Sequence, residues 1–141
     1  MAEVELAEYQ TTRAVIGAFY YVYNQLGSGF LEAVYHRALG NTLERAGLRV
    51  EREAPLRVYF EGQDVGEFRA DLVINGRVIV EVKAVDRLAG SHEAQLINDL
   101  RAAELPVGLL LNFGPRATYR RLVGPAANRR GQPRVTVEAS T

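Results

Sequence analysis

The sequence contains no cysteine. Disulfide staples, zinc–thiolate sites and cysteine nucleophiles are all excluded. It also lacks net charge, because seventeen basic and seventeen acidic residues cancel. No global positive field draws this chain onto a polyanion, so such a partner has to be held by a local patch or by metal ions. Long apolar runs are missing too. The best candidate, Ala14–Tyr23, lies between Arg13 and Asn24 and is too short to span a bilayer. The start, Met1-Ala2-Glu3-Val4-Glu5, is acidic where a signal peptide would be basic. A cytoplasmic protein with no membrane contact is the expectation. Internal repeats and low-complexity segments are absent.

What remains is an ordinary globular balance, with 48% hydrophobic and 24% charged residues over 141 positions. That length suits one domain. We place it at residues 1–123 and read residues 124–141 as a tail, in which Val135-Thr136-Val137 could add an edge strand.

The spacing of Ala14, Val15, Ala18, Phe19, Val22 and Tyr23 predicts a helix from Leu6 to about Leu26. Gly27-Ser28-Gly29 breaks it. A second helix is predicted from Phe30 to Ala46, with Gly47 placed to cap its end. The pattern then changes to period two. Strands are expected at Leu56–Phe60, Val65–Ile74 and Arg77–Lys83, with turns at Glu61-Gly62 and Asn75-Gly76. Ser91 is a plausible N-cap for a third helix, His92 to Ala103. Val107–Phe113 is apolar enough to be buried on both faces, and a short strand is expected at Arg120–Val123. The order predicts an α/β domain, a mixed sheet with helices packed on it.

The chemistry-bearing segment is Asp71 on the second strand and Glu81-Val82-Lys83 on the third. Alternation sends Val78, Val80 and Val82 to one face and Ile79, Glu81 and Lys83 to the other. Two carboxylates beside an ammonium can hold a hard cation such as Mg²⁺ and still place positive charge near an attacking water. The same pattern also occurs on the solvated face of a half-exposed strand. Glu32 falls at the edge of the apolar stripe that runs through Leu31, Val34, Tyr35, Ala38, Leu39 and Leu43. A carboxylate there needs an ion pair, a metal or an escape to solvent. On the third helix, His92, Gln95 and Asp99 border the apolar face of Leu96, Ile97, Leu100 and Ala103. His92 suits a cap, and Gln95 can both donate and accept near a phosphate or a metal-bound water.

Register supplies a test. If Asn75-Gly76 closed a two-residue hairpin, Asp71 would face Val80 and lie on the opposite side of the sheet from Glu81. A shared cation requires a three-residue loop or a bulge.

The block Gly29-Phe30-Leu31-Glu32-Ala33-Val34-Tyr35 resembles the signature of the GxxExxY proteins, a bacterial branch of the PD-(D/E)XK nuclease superfamily. The similarity continues through Arg69–Val73, Val80–Val85, His92–Leu96 and Gly108–Gly114. It implies a restriction-endonuclease-like α-β-β-β-α-β core, a mixed sheet flanked by helices. It implies that Asp71, Glu81 and Lys83 are the catalytic set, joined by Glu32 from the preceding helix and Gln95 from the following one. Ala70 stands where the proline of the superfamily name would be.

The expected activity is hydrolysis of DNA or RNA phosphodiester bonds by a metal-activated water. Asp71 and Glu81 ligate Mg²⁺ or Mn²⁺, and Glu32 ligates it or orients a bound water. Lys83 orients the nucleophile or contacts the phosphate, and Gln95 positions water or the phosphate backbone. Arg116, Arg120 and Arg121 are candidate phosphate contacts. One alternative is a nuclease-fold module that binds nucleic acid or nucleotide without cutting. Another is a structural homo-oligomer, because Phe19, Tyr20, Tyr21 and Tyr23 surround more of the first helix than one packing face needs.

Overall fold

The computed structural model describes residues 2–124 and 136–139, with side chains over 8–124. Two helices lead the chain, α1 (Ala2–Leu26) and α2 (Glu32–Arg45). The strands β1 (Val50–Phe60), β2 (Gln63–Ile74) and β3 (Val78–Lys83) follow. Then come α3 (Gly90–Ala103), β4 (Val107–Phe113), β5 (Ala117–Val123) and β6 (Thr136–Ala139). The six strands form one sheet in the order β5-β4-β3-β2-β1-β6. Only β3 and β4 run parallel, and α3 makes the crossover that a parallel pair requires. The α2-β1-β2-β3-α3-β4 run is the restriction-endonuclease-like core, a mixed sheet with helices on both faces. Residues 125–135, part of the expected tail, lie outside the described residues, as does Val135 of the expected edge strand.

Alternation along the strands builds two cores. On one face Val78, Val80 and Val82 join Leu72, Ile74, Leu109, Leu111 and Phe113 beneath α1 and α2. Those helices contribute Val15, Phe19, Val22, Tyr35, Leu39 and Leu43. On the other face Ile79, Val73 and Leu110 pack against Leu96 and Leu100 of α3. Each such fully buried side chain contributes about 1.5–3 kcal/mol of transfer free energy. β4 is buried at every position, as its unbroken apolar run requires. Phe113 joins α1 to α2, with Phe19 edge-on at 4.8 Å and Tyr35 stacked at 4.4 Å.

The helix ends differ in part from expectation. Gly47 closes α2 with φ +91°. It donates to Glu44 O at 2.9 Å, and Leu48 N donates to Leu43 O at 3.1 Å, which is the Schellman pattern. α2 begins at Glu32, not Phe30, because Gly29 at φ +111° keeps the preceding chain extended. Ser91 is not the cap of α3. The helix starts at Gly90, and the His92 ring accepts the Ala89 N–H at 2.9 Å, which fills the capping role with a side chain inside the first turn.

β1 starts six residues before the expected Leu56. Its first half, Val50–Pro55, is charged and ends in proline, which hides the strand pattern. Pro55 is tolerated because pairing with β6 begins only at Leu56, so its missing N–H is needed by no neighbour on that side. The aromatics of α1 divide: Phe19 is buried and Tyr23 half-buried, while Tyr20 and Tyr21 are exposed.

Candidate metal centre

The site begins with the β2–β3 turn. Asn75 and Gly76 both have positive φ, and Arg77 N donates to Ile74 O at 3.0 Å. Glycine, and asparagine next best, are the residues that accept this geometry. Pairing resumes only at Ile74↔Val78, so Arg77 is an extra residue and the loop has three. Its guanidinium is drawn off to Glu8 of α1 at 2.8 Å. Asn75 is pinned to Arg49 by two hydrogen bonds of 2.9 Å, one through its main-chain N–H and one through its side chain. The register therefore sets Asp71 directly across from Glu81, as a shared cation requires.

Just there the two strands part. Regular pairing ends at Leu72↔Val80. Beyond it, Val82 N donates to the Asp71 carboxylate at 2.8 Å, and Asp71 N donates to the Glu81 carboxylate at 3.2 Å. Each acid supplies the acceptor that the departing strand withdrew, so neither main-chain donor is left bare.

β1 is distorted at the same level. Arg52 pairs with Leu72 and Ala54 with Ala70, but the intervening Glu53 is left-handed, φ +49°. His36 of α2 reaches this point. Its Nε2 donates to the Asp71 carbonyl at 2.8 Å and lies 3.2 Å from a Glu53 carboxylate oxygen. Potential ligand atoms of His36, Glu53 and Asp71 all lie within 4.8 Å of one another. Among the described residues this is the one trio of metal-ligating side chains so closely grouped.

The other expected residues fall around this centre. Glu32, first in α2, accepts the Ala84 N–H just past β3 at 3.3 Å and lines the same cleft as Asp71 and His36. Lys83 is half-buried, and its charge opposes the upward shifts of Asp71, Glu81 and Asp99. Gln95 is exposed on α3, one turn before Asp99. Glu32 and Glu81 do not join Asp71 in a three-acid cluster at ligand distance; His36 and Glu53 stand there instead. The three arginines form no single patch. Arg120 pairs opposite Leu110 and Arg121 opposite Leu109, so they project to opposite faces of β5, while Arg116 sits in the preceding turn.

The electrostatics match crowded acids. Burial, and then the neighbouring Asp71 charge, pushes the Glu81 carboxyl up to about 8. Burial also raises Asp71, against the pull of the Val82 N–H. Asp99 is lifted to about 6, first by burial and then by the Asp71 charge. Carboxyls gathered this closely resist full ionisation unless a cation joins them.

The motif residues of α2 support the site mechanically. Tyr35 is fully buried, and its hydroxyl donates to Gly27 O at 2.6 Å and accepts from Phe30 N at 3.2 Å, which locks the helix–helix connector. On the far side the buried Asn112 amide pairs with both main-chain groups of Val85, each at 2.9 Å, and fixes the chain just beyond Lys83. Gly114 is required beside it, because a Cβ there would strike the Val85 carbonyl.

A family model described as the PD-(D/E)XK nuclease superfamily matches residues 9–122. The chain belongs to the PD-(D/E)XK nuclease superfamily. Among solved structures, the crystal structure of SSO0001 is similar, with 22% identity and a TM-score of 0.52. The match covers 87% of this chain and 63% of that one, so the chain spans under two thirds of that protein. At this identity the likeness concerns the fold. No curated protein matches the chain. No helix among the described residues is long and apolar enough to cross a membrane.

Proposed function

We propose that the chain is a metal-dependent nuclease that hydrolyses phosphodiester bonds of DNA or RNA, and that it falls in the GxxExxY branch of the superfamily. The observation that carries this reading is the meeting of Asp71 and Glu81 across the parting strands, with His36 and Glu53 beside them. The donor set fits a divalent cation. It offers carboxylate oxygens and one imidazole, and burial, with neighbouring acid charge, raises the Asp71 and Glu81 carboxyls above their ordinary range. Carboxylates suit Mg²⁺ or Mn²⁺, and the imidazole favours Mn²⁺ of the two. Asp71 and Glu81 would hold the ion, with His36 and Glu53 completing the set and Glu32 orienting bound water. When bound, the ion lowers the pKa of a water and offsets charge on the phosphate.

The chain's own contribution is positioning. Lys83, at the end of β3, presents its ammonium to the water or the scissile phosphate. Asn112 holds the segment after it. Gln95 contacts the phosphate backbone from α3, outside the ligand set.

The test is cleavage of single- and double-stranded DNA and RNA in Mg²⁺ and Mn²⁺, with Asp71→Ala, Glu81→Ala and Lys83→Ala beside the wild type. Metal-dependent cutting lost in all three supports the enzyme. The balanced charge favours a second reading, a module that binds nucleic acid without cutting. Binding that survives these substitutions, with no cleavage by the wild type, would select it.

A further inference from the structure

A cleft of about 1040 Å³ opens between α2 and the sheet, with Asp71 and Glu53 among its lining. Its composition is unusual for a groove beside acids that handle phosphate. Its apolar lining includes Leu26 from the end of α1 and Ala33, Val34 and Ala38 from α2, beside the polar Glu32, His36, Arg37 and Asn41. Four large exposed hydrophobic residues fall within residues 26–34: Leu26 (36% exposed), Phe30 (49%), Leu31 (79%) and Val34 (40%). The helical stripe predicted to be buried is thus only half used. Tyr35, Leu39 and Leu43 enter the core, while Leu31 and Val34 face solvent.

Cationic character in the cleft is sparse. The Arg52 guanidinium is already held by Glu44 at 2.7 Å and Asn41 at 2.9 Å. Arg37 is exposed and forms no ion pair among the described residues. The apolar wall is preformed, because the Tyr35 hydroxyl holds the connector at Gly27 and Phe30.

A duplex hides its bases in the stack and presents two phosphate strands, so its binding relies on many cationic contacts. This cleft offers one free arginine. A single strand exposes base faces that pack on apolar and aromatic side chains, with few phosphate contacts needed. We propose that the cleft takes single-stranded nucleic acid, with bases against Val34 and the Phe30–Leu31 shoulder and the backbone at Arg37. This rests on the nuclease reading of the site and names the strand form that the site receives.

The test uses the full chain in EDTA, which keeps binding apart from cutting. Fluorescence anisotropy is measured with labelled oligo-dT, oligo-rU and a DNA duplex of equal length, for wild type, Val34→Asp and Arg37→Glu. Both substitutions are at exposed positions, and circular dichroism checks that each variant is folded. The expected result is single-strand binding on the order of tenfold tighter than duplex binding, weakened on the order of tenfold in each variant. The salt slope expected for single strands is about −0.7 for each phosphate contacted, and so small in total. Comparing oligo-dT with oligo-rU identifies the sugar. Equal or tighter duplex binding, unchanged binding in both variants, or no binding of single strands overturns the inference. Duplex cleavage that depends on Glu81 would then leave the nuclease reading intact. Single-strand binding lost in the variants, without cleavage by wild type in Mn²⁺, would uphold the cleft and remove the enzyme.

Discussion

Asp71 is bonded to Val82 where β2 and β3 separate: its carboxylate accepts the Val82 N–H at 2.8 Å. A side chain thus stands where a strand carbonyl would be, in a sheet that is otherwise regularly paired on both sides of β3. The acids hold the opening in the sheet as well as the means to bind a cation in it.

Glu81 makes the metal-free protein sensitive to pH. Its folded pKa, about 8, lies above its ordinary 4.5. The folded state therefore binds the proton more tightly than the unfolded chain. The sign follows: this stability is fully present below pH 4.5 and is lost as pH rises toward 8, by an amount on the order of a few kcal/mol. Thermal melting in EDTA should show Tm falling over that window. Glu81→Gln should flatten the fall and melt higher than wild type at pH 8, and Mn²⁺ should stabilise wild type more at pH 8 than at pH 5. A wild-type Tm that climbs between pH 5 and 8 in EDTA would contradict the burial of this carboxyl.

His36 and Glu53 should matter for metal affinity although neither was among the residues expected from the sequence. Calorimetric titration with Mn²⁺ is expected to show affinity reduced about tenfold to a hundredfold in His36→Gln and Glu53→Gln. His36→Gln should also narrow the preference for Mn²⁺ over Mg²⁺, because the nitrogen donor is removed. Unaltered titrations in both variants would return these residues to a structural role.

Asn112 should be costly to remove. Asn112→Ala leaves the Val85 N–H and C=O without their buried partners, a loss of about 1–3 kcal/mol for each group left unsatisfied. Urea unfolding measures it, and a midpoint equal to wild type would disprove the clamp. If the clamp also positions Lys83, cleavage under fully folded conditions should fall with metal affinity unchanged.

Much of this site could be read from residue order. The alternation of Val78–Lys83 correctly divided the strand between the two cores. The demand that Asp71 and Glu81 share a face correctly required a loop longer than two residues. Two participants were missed for different reasons. His36 follows Glu32 by four residues, so the two share a helical face, and that spacing was a usable signal. Glu53 was hidden because Val50–Pro55 does not read as a strand and because glutamate gives no sign of a left-handed kink. Asp99 stood in the polar band beside Gln95, but which of the two turns inward depends on the rotation of α3. The α2 stripe misled in the opposite direction: apolar spacing marks a face as able to be covered, and here part of that face borders an open cleft.

The parting of β2 from β3 also makes two amides into reporters. The N–H groups of Asp71 and Val82 rely on carboxylates for their acceptors, and those carboxylates are the ones a cation would recruit. Filling the site and keeping the strand gap closed thus compete for the same oxygens. These two amide resonances, among those of an otherwise rigid sheet, should be the first to shift when an ion arrives.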